Sequence, residues 1–101
     1  MASSFKNYTA NTVTTETTVV TGPVATQTTV IGMTVANVGA TVANATVKLN
    51  TTSMVYNAPI PVGGTLVVVG GDQKVVLEAG DTIKVTSTIG VDVIVSTLEV
   101  A

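Results

Sequence analysis

The chain has 101 residues, a formal net charge of −2, 46% hydrophobic residues and only 10% charged residues. This length accommodates one domain with a modest core, and the composition is not that of a disordered chain. The four basic residues are scattered lysines, which argues against the clustered basic face of a nucleic-acid-binding protein. Valine and threonine make up 41 of the 101 residues, and because both are β-branched they favour strands over helices.

The first ten residues contain Phe5 and Tyr8, two of the three aromatic side chains in the chain. Two interpretations of the segment 1–10 remain open. It is either an edge strand of the protein's own sandwich or an arm whose aromatic side chains anchor on a neighbouring subunit. The remaining residues, 11–101, are expected to form a single β-sandwich domain.

The next segments alternate threonine with apolar residues, as strands do. Asn11–Thr21 is expected to be one extended segment that ends at Gly22. Thr28–Asn37 predicts a strand with three apolar side chains on one face: Ile31, Met33 and Val35. Gly32, on the opposite face of that strand, indicates a bulge or a close backbone approach.

The middle of the chain predicts two further strands and an edge. Thr41–Asn50 directs three apolar side chains inward: Ala45, Val47 and Leu49. Thr52–Ala58 predicts a short strand. Pro59 and Pro61 have no backbone N–H for a ladder hydrogen bond, so Ala58–Gly64 is expected at an edge or a crossover between sheets.

The C-terminal part predicts four strands separated by glycine-bearing turns: Thr65–Val69, Lys74–Glu78, Thr82–Ser87 and Val91–Val100. Ile83 and Val85 alternate with Lys84 and Thr86, which predicts one buried and one wet face. The turns lie at 70–72 and 79–81. With about eight strands and no helical periodicity, the fold is expected to be all-β, a single antiparallel β-sandwich or jelly roll.

Several apolar side chains fall on faces that the alternation predicts to be outer. The last strand places Val91, Val93 and Val95 on one face, with Ile94, Leu98 and Val100 on the other. Val20, Val55 and Val76 also lie among polar neighbours, and several such residues together indicate a contact surface. We therefore expect a homo-oligomer, with a trimer favoured, and the candidate partner-contact residues are Phe5, Tyr8, Val76, Ile94, Leu98 and Val100.

The residue types that most enzymes depend on are missing. The chain has no histidine, no cysteine and no arginine, which removes the common general bases, thiol nucleophiles and anion clamps. Each glycine-aspartate turn offers one carboxylate, whereas calcium loops gather several oxygen ligands in one run. We expect no enzyme activity, no catalytic residues, no metal and no cofactor.

Neither a signal peptide nor an apolar run of 18 residues is recognisable in the sequence. We therefore expect a protein that is made in a cytoplasm and has no membrane partner. No nucleic acid is expected as a partner either, because the basic residues are few and dispersed.

The segment Asn57–Thr88 (NAPIPVGGTLVVVGGDQKVVLEAGDTIKVTST) and the following VDVIVSTLEV resemble the C-terminal half of small virion proteins of tailed bacteriophages, especially phages of aquatic bacteria. The opening MASSFKNYTA and the strand TTVIGMTVAN are similar to the same proteins. The resemblance implies a structural protein of the virion, a capsid decoration (cement) protein that contacts the major capsid protein. A neck, tail or fibre-attachment protein is the alternative that it leaves open.

Two further functions remain open on the sequence alone. A β-sandwich can bind carbohydrate, but sugar platforms usually need exposed tryptophan or tyrosine, and the chain has only Tyr8 and Tyr56. An adhesin or surface-layer module would explain the richness in threonine and valine. It would also require a secretion signal or a larger parent chain.

Overall fold

The computed structural model describes residues 3–70 and 74–101, and within these ranges the chain forms nine strands. The strands are β1 (Ser3–Val13), β2 (Thr17–Thr21), β3 (Gln27–Asn37), β4 (Ala43–Leu49), β5 (Thr52–Ile60), β6 (Thr65–Val69), β7 (Val75–Leu77), β8 (Thr82–Ser87) and β9 (Val91–Val100). None of the described segments is a helix long and apolar enough to cross a membrane.

The strands form two antiparallel sheets that pack face to face. One sheet has five strands in the order β1-β9-β3-β6, with β7 also paired to β3, and the other has four in the order β2-β8-β4-β5. Because β6 and β7 share the position beside β3, the strands occupy eight positions. The pairs β1·β9, β2·β8, β3·β6 and β4·β5 are those of one long hairpin rolled into two sheets, which is the strand order of a jelly roll. The predicted antiparallel β-sandwich is confirmed.

The core lies between the inner faces of the two sheets, where the two-residue alternation of the C-terminal strands holds. Ile83 and Val85 of β8 are fully buried, and Lys84 and Thr86 lie on the outer face. In β9 every second residue from Val91 onwards is buried. The face assignments predicted for these two strands are confirmed.

The inward face predicted for β3 is wrong at Ile31, the first of the three apolar residues assigned to it. Val30, rather than Ile31, is fully buried, while Met33 and Val35 are buried as expected. Ile31 has no partner in the pairing with β9, because the register shifts between Val30 and Gly32. A bulge therefore inserts one residue and switches the inward face. The irregularity that Gly32 indicated is confirmed.

Two further sequence expectations need correction. Asn11–Thr21 is not one strand, since β1 ends at Val13 and β2 begins at Thr17. Val20 was expected to face outward but is buried, because a register shift between Thr18 and Val20 brings it opposite the buried Ile83. Val55 is half-buried and lies opposite the buried Val47, so it also faces inward.

The predicted edge and the turn predicted at 79–81 occur where the sequence indicated. β5, which contains Pro59, is an edge strand, and the chain crosses from there to β6 of the other sheet. Gly80 has a positive φ of 87°, as a tight reversal between β7 and β8 requires. The turn predicted at 70–72 lies partly outside the described residues, which omit Gly71 and Asp72.

The N-terminal segment is an edge strand of the five-stranded sheet. β1 pairs with β9 of the same chain through eight consecutive residue pairs, from Ser3 opposite Val100 to Ala10 opposite Val93. The strand continues past residue 10 to Val13, so the division expected after residue 10 falls inside it.

Candidate interaction face

The outer face of the five-stranded sheet carries a row of side chains that crosses four strands. Phe5 of β1 lies directly opposite Leu98 of β9, Leu98 opposite Thr29 of β3, and Thr29 opposite Val76 of β7. Residues opposite each other in antiparallel strands share a face. Phe5 is 76% exposed and Val76 is 62% exposed, so both ends of the row present apolar surface to solvent.

A second row runs across the same face. It consists of Thr9, Ile94, Thr34 and Val67, on β1, β9, β3 and β6 in that order. Ile94 is 51% exposed and Val67 is 62% exposed. Val67 was not among the residues predicted from the sequence, because the run TLVVV shows no alternation that would separate an outer valine from an inner one.

The two rows and the end of β9 together define a surface that we call the apolar face. Val100 joins it because it lies opposite Ser3 on β1 and Gln27 on β3, in the outward alternation of β9. The apolar face consists of Phe5, Val67, Val76, Ile94, Leu98 and Val100. The structure thus brings together five of the six candidate contact residues on one side of the molecule, and adds Val67.

The outer face of the four-stranded sheet has the opposite character on its central strands β4 and β8, whereas Tyr56 is exposed on the edge strand β5. Lys48 of β4 lies directly opposite Lys84 of β8. The Glu16 carboxylate is 3.9 Å from the Nζ atom of each lysine, so it offsets the repulsion between them. Thr46 and Thr86 form the neighbouring pair. A polar, charge-paired face of this kind is suited to contact with water.

Tyr8, the sixth candidate, lies on the other side of β1. It is opposite Val95, a fully buried residue, and its ring packs at the margin of the core. Its hydroxyl donates a 2.5 Å hydrogen bond to the Glu99 carboxylate. Tyr8 therefore holds β1 against the sheet and is not part of the apolar face.

Glu99 is an acidic residue on the inner face, which sequence reasoning did not single out. Only 5% of it is exposed, and the regular alternation of Val91–Val95 continued along β9 places it inward. The Thr97 hydroxyl donates to its Oε2 atom at 3.1 Å, and the Lys6 amine is 3.8 Å from Oε1. These contacts compensate for burying a carboxylate, which otherwise costs several kcal/mol.

The contact with Glu99 changes the acidity of Tyr8. The hydrogen bond from the neutral hydroxyl to the carboxylate, together with burial and the negative charge of Glu99, raises the pKa of Tyr8 to about 12. A tyrosine in this state remains protonated in ordinary buffers and acts as a hydrogen-bond donor. Its role here is structural.

The described residues also contain a cleft of about 450 Å³ between the start of β3 and β7. Thr26–Thr29 lie on one side, and Val76–Ala79 on the other. Glu78 provides the one carboxylate in the described lining. No group of three or more histidine, cysteine, aspartate or glutamate residues that would suit a metal ion occurs within 3–70 and 74–101.

The exposed aromatic residues do not form one platform for a sugar ring. Tyr56 is largely exposed on β5 of the four-stranded sheet, while Phe5 is exposed on β1 of the five-stranded sheet. Tyr8 is occupied by its contact with Glu99. Stacking on adjacent aromatic rings is therefore not available on the described surface.

No protein-family model, curated protein or solved structure matches this chain significantly. The resemblance to phage virion proteins rests on the sequence segments quoted above. The difference between the two outer faces is the feature of the molecule that points to a function.

Proposed function

We propose that this protein is a non-enzymatic structural component of a tailed-phage virion. In this proposal it is a capsid decoration protein that binds the shell through the apolar face. The observation that carries the proposal is the contrast between the outer faces. One presents Phe5, Val67, Val76 and Ile94 to solvent, and the other presents the Glu16–Lys48–Lys84 group.

Burial of the apolar face supplies the driving force for binding. A valine, isoleucine or phenylalanine side chain that passes from water into an interface contributes about 1.5–3 kcal/mol when it is fully buried. The six residues of the apolar face are uncharged, as the centres of protein interfaces tend to be, and Asp92 lies beside them at the start of β9. A group of exposed apolar side chains is suited to the surface of another folded protein and not to a small polar ligand.

The choice of a virion partner is supported by two observations of different kinds. The segment Asn57–Thr88 resembles virion proteins of tailed phages, and this segment contains Val67 and Val76 of the apolar face. The jelly-roll strand order is also common in viral capsid proteins. A shared fold does not fix a function, so the fold counts as support only in combination with the face.

The proposed partner is the major capsid protein, and the neck, tail or fibre attachment of the same virion is the alternative position. Electron microscopy of intact particles of the phage that encodes the chain tests both. We expect density for the sandwich on the capsid, with the sheet of β1, β9 and β3 against the shell. Density at the neck or tail would select the alternative, and absence of the protein from purified particles would overturn the proposal.

A further inference from the structure

A sandwich of two open sheets has four edges, and each edge exposes backbone N–H and C=O groups that can template another strand. Here the edges are β1, β6 with β7, β2 and β5. Natural proteins protect such edges with short strands, prolines, bulges or charges. Three of the four edges in this protein have such protection.

Each of the protected edges is interrupted. β2 has five residues and a register shift between Thr18 and Val20. β5 contains Pro59, has Asn57 at a positive φ of 51°, and shows two register shifts against β4. β6 and β7 have only five and three residues. None of these edges offers a long regular ladder.

β1 differs from the other edges in length and regularity. It has 11 residues without a proline, and its pairing with β9 is uninterrupted from Ser3 to Ala10; its register shift and its positive-φ residue, Thr12, lie beyond Ala10, at the end of the strand. Its single charged residue is Lys6, whose amine lies 3.8 Å from the buried Glu99 carboxylate. The described residues place no strand beyond β1, so its outer hydrogen-bonding groups from Ser3 to Ala10 form a regular template with one charged residue.

We propose that β1 pairs in antiparallel fashion with β1 of a second copy of this chain, about a two-fold axis. Such an interface is self-complementary, since the same strand supplies donors and acceptors on both sides. The register follows from the faces. Inward residues must lie opposite inward residues, because a slip of one residue would reverse every side chain. The two-fold axis must therefore place one residue of β1 directly opposite the same residue of the partner subunit.

Asn7 is the position that fits the axis. It lies at the middle of the regular run from Ser3 to Ala10, so pairing centred there uses nearly the whole run. It places Phe5 opposite Thr9 of the partner subunit and Lys6 opposite the partner's Tyr8. An axis through Lys6 would instead place two lysines opposite each other, and like charges in that position are destabilising.

The pairing joins two five-stranded sheets into one. Because the two-fold axis is perpendicular to the sheet, the apolar faces of both copies lie on the same side of the dimer. Two copies close the interface completely, so the expected assembly is a dimer in place of the trimer that the composition favoured. The pairing is tested on the purified protein, and its failure is therefore distinguishable from failure of the proposed virion function.

The first test is the mass in solution of the purified chain and of Asn7→Lys, measured by analytical ultracentrifugation up to the solubility limit. We expect twice the 10.1 kDa chain mass for the wild type and the single-chain mass for Asn7→Lys. Thr52→Lys, an exposed position on the β5 edge that lies opposite the uncharged Leu49, is the matched control and should remain dimeric. A monomeric or trimeric wild type, a dimeric Asn7→Lys or a monomeric Thr52→Lys would each overturn the pairing.

A second test does not depend on the behaviour of a charged variant. The chain has no cysteine, so Asn7→Cys introduces a unique thiol at the proposed axis. Directly opposite Cβ atoms in a sheet are about 4.5–5.5 Å apart, within reach of a short bis-maleimide. We expect crosslinked dimers from Asn7→Cys and not from Ser53→Cys. The reverse result, or equal crosslinking of the two variants, would contradict the proposed register.

Discussion

The Tyr8 hydroxyl donates a 2.5 Å hydrogen bond to the Glu99 carboxylate, and this contact joins the first strand of the sandwich to the last. Glu99 is buried on the inner face of β9, and Tyr8 lies at the middle of β1. The rest of β1 is largely exposed and contributes only Val13 to the buried core. The contact therefore holds in place an edge strand that buries little apolar surface of its own.

The first prediction concerns Tyr8→Phe. Below pH 10 this substitution should lower the free energy of unfolding by about 1–3 kcal/mol, because the buried Glu99 carboxylate loses a donor. The pKa of Tyr8 is raised from 10.0 to about 12 in the folded protein. Its contribution is therefore fully present below about pH 10 and is lost as pH rises towards 12. Urea unfolding of the wild type and of Tyr8→Phe at several pH values measures the difference between their free energies of unfolding.

The difference between wild type and Tyr8→Phe should narrow as pH rises from 10 to 12, the interval between the two pKa values. Tyr56→Phe is the matched control, since the Tyr56 ring is largely exposed on β5. It should have little effect at any pH. A wild-type advantage over Tyr8→Phe that stays constant through this interval would show that the hydroxyl does not bind the carboxylate as described.

The second prediction concerns Thr28, which lies directly opposite Glu99 on β3. Thr28 is fully buried, and its Oγ1 atom has no hydrogen-bond partner among the described residues. Thr28→Val keeps the shape and removes the hydroxyl, so it should raise the free energy of unfolding by about 1 kcal/mol. Thermal and urea unfolding report the change.

Thr97→Val is the control for Thr28→Val. Thr97 is equally buried on the adjacent strand, but its hydroxyl donates to Glu99. The same substitution should therefore destabilise the protein by about 1–3 kcal/mol, since a hydrogen bond to a charged group is lost. Changes of the same sign in the two variants would contradict the polar contacts described around Glu99.

The third prediction tests the bulge in β3. Val30→Thr places a hydroxyl in the core and should cost about 1–3 kcal/mol. Ile31→Thr alters a half-buried side chain at the bulge and should cost less, because the hydroxyl has access to solvent. Urea unfolding of the two variants gives the ranking. The opposite order would contradict the bulge and would favour an uninterrupted alternation with Ile31 on the inward face.

The fourth prediction concerns the two faces of β8. Ile83→Asp should prevent folding, because a buried, unpaired carboxylate costs several kcal/mol against a total stability of about 5–15 kcal/mol. Lys84→Asp lies on the outer face and should change stability by less than about 1 kcal/mol, since the new carboxylate lies opposite Lys48. Circular dichroism and urea unfolding distinguish the outcomes. Similar losses in both variants would contradict the face assignment.

The sequence predicts this fold best where the chain alternates strictly and turns on glycine. β8 and β9 have the bounds and faces that the alternation indicates. The bulge at Ile31 depends on pairing with β9, where Gly32 lies opposite Ser96, 64 residues further along the chain. Local periodicity therefore does not contain that information. The same holds for Val20, whose inward position depends on a register shift against β8.

The apolar face was predictable in part. The outward alternation of β9 identifies Ile94, Leu98 and Val100, whereas Val67 is hidden in a run of valines. Phe5 and Tyr8 are three residues apart, so a strand places them on opposite faces. This spacing predicts that Phe5 and Tyr8 face opposite ways, and treating the two aromatic side chains as one anchoring group overlooked it. The partner of Tyr8, Glu99, lies 91 residues away, and the sequence alone does not reveal such a pair.

The proposed binding of the apolar face to the virion is tested most directly by a pair of double substitutions. Val67→Thr with Val76→Thr removes apolar surface from the face while keeping β-branched side chains that favour strands. Val24→Thr with Val62→Thr makes the same chemical change at exposed valines outside the strands. Both double variants should unfold at nearly the wild-type urea concentration.

The measurement is the occupancy of each double variant on particles that lack the protein, counted by electron microscopy over a range of protein concentrations. We expect at least a tenfold weaker apparent affinity for Val67→Thr with Val76→Thr, about 1.4 kcal/mol or more, because apolar surface is lost from the interface. We expect wild-type affinity for Val24→Thr with Val62→Thr. Equal occupancy curves for the two double variants would contradict the assignment of the apolar face as the binding surface.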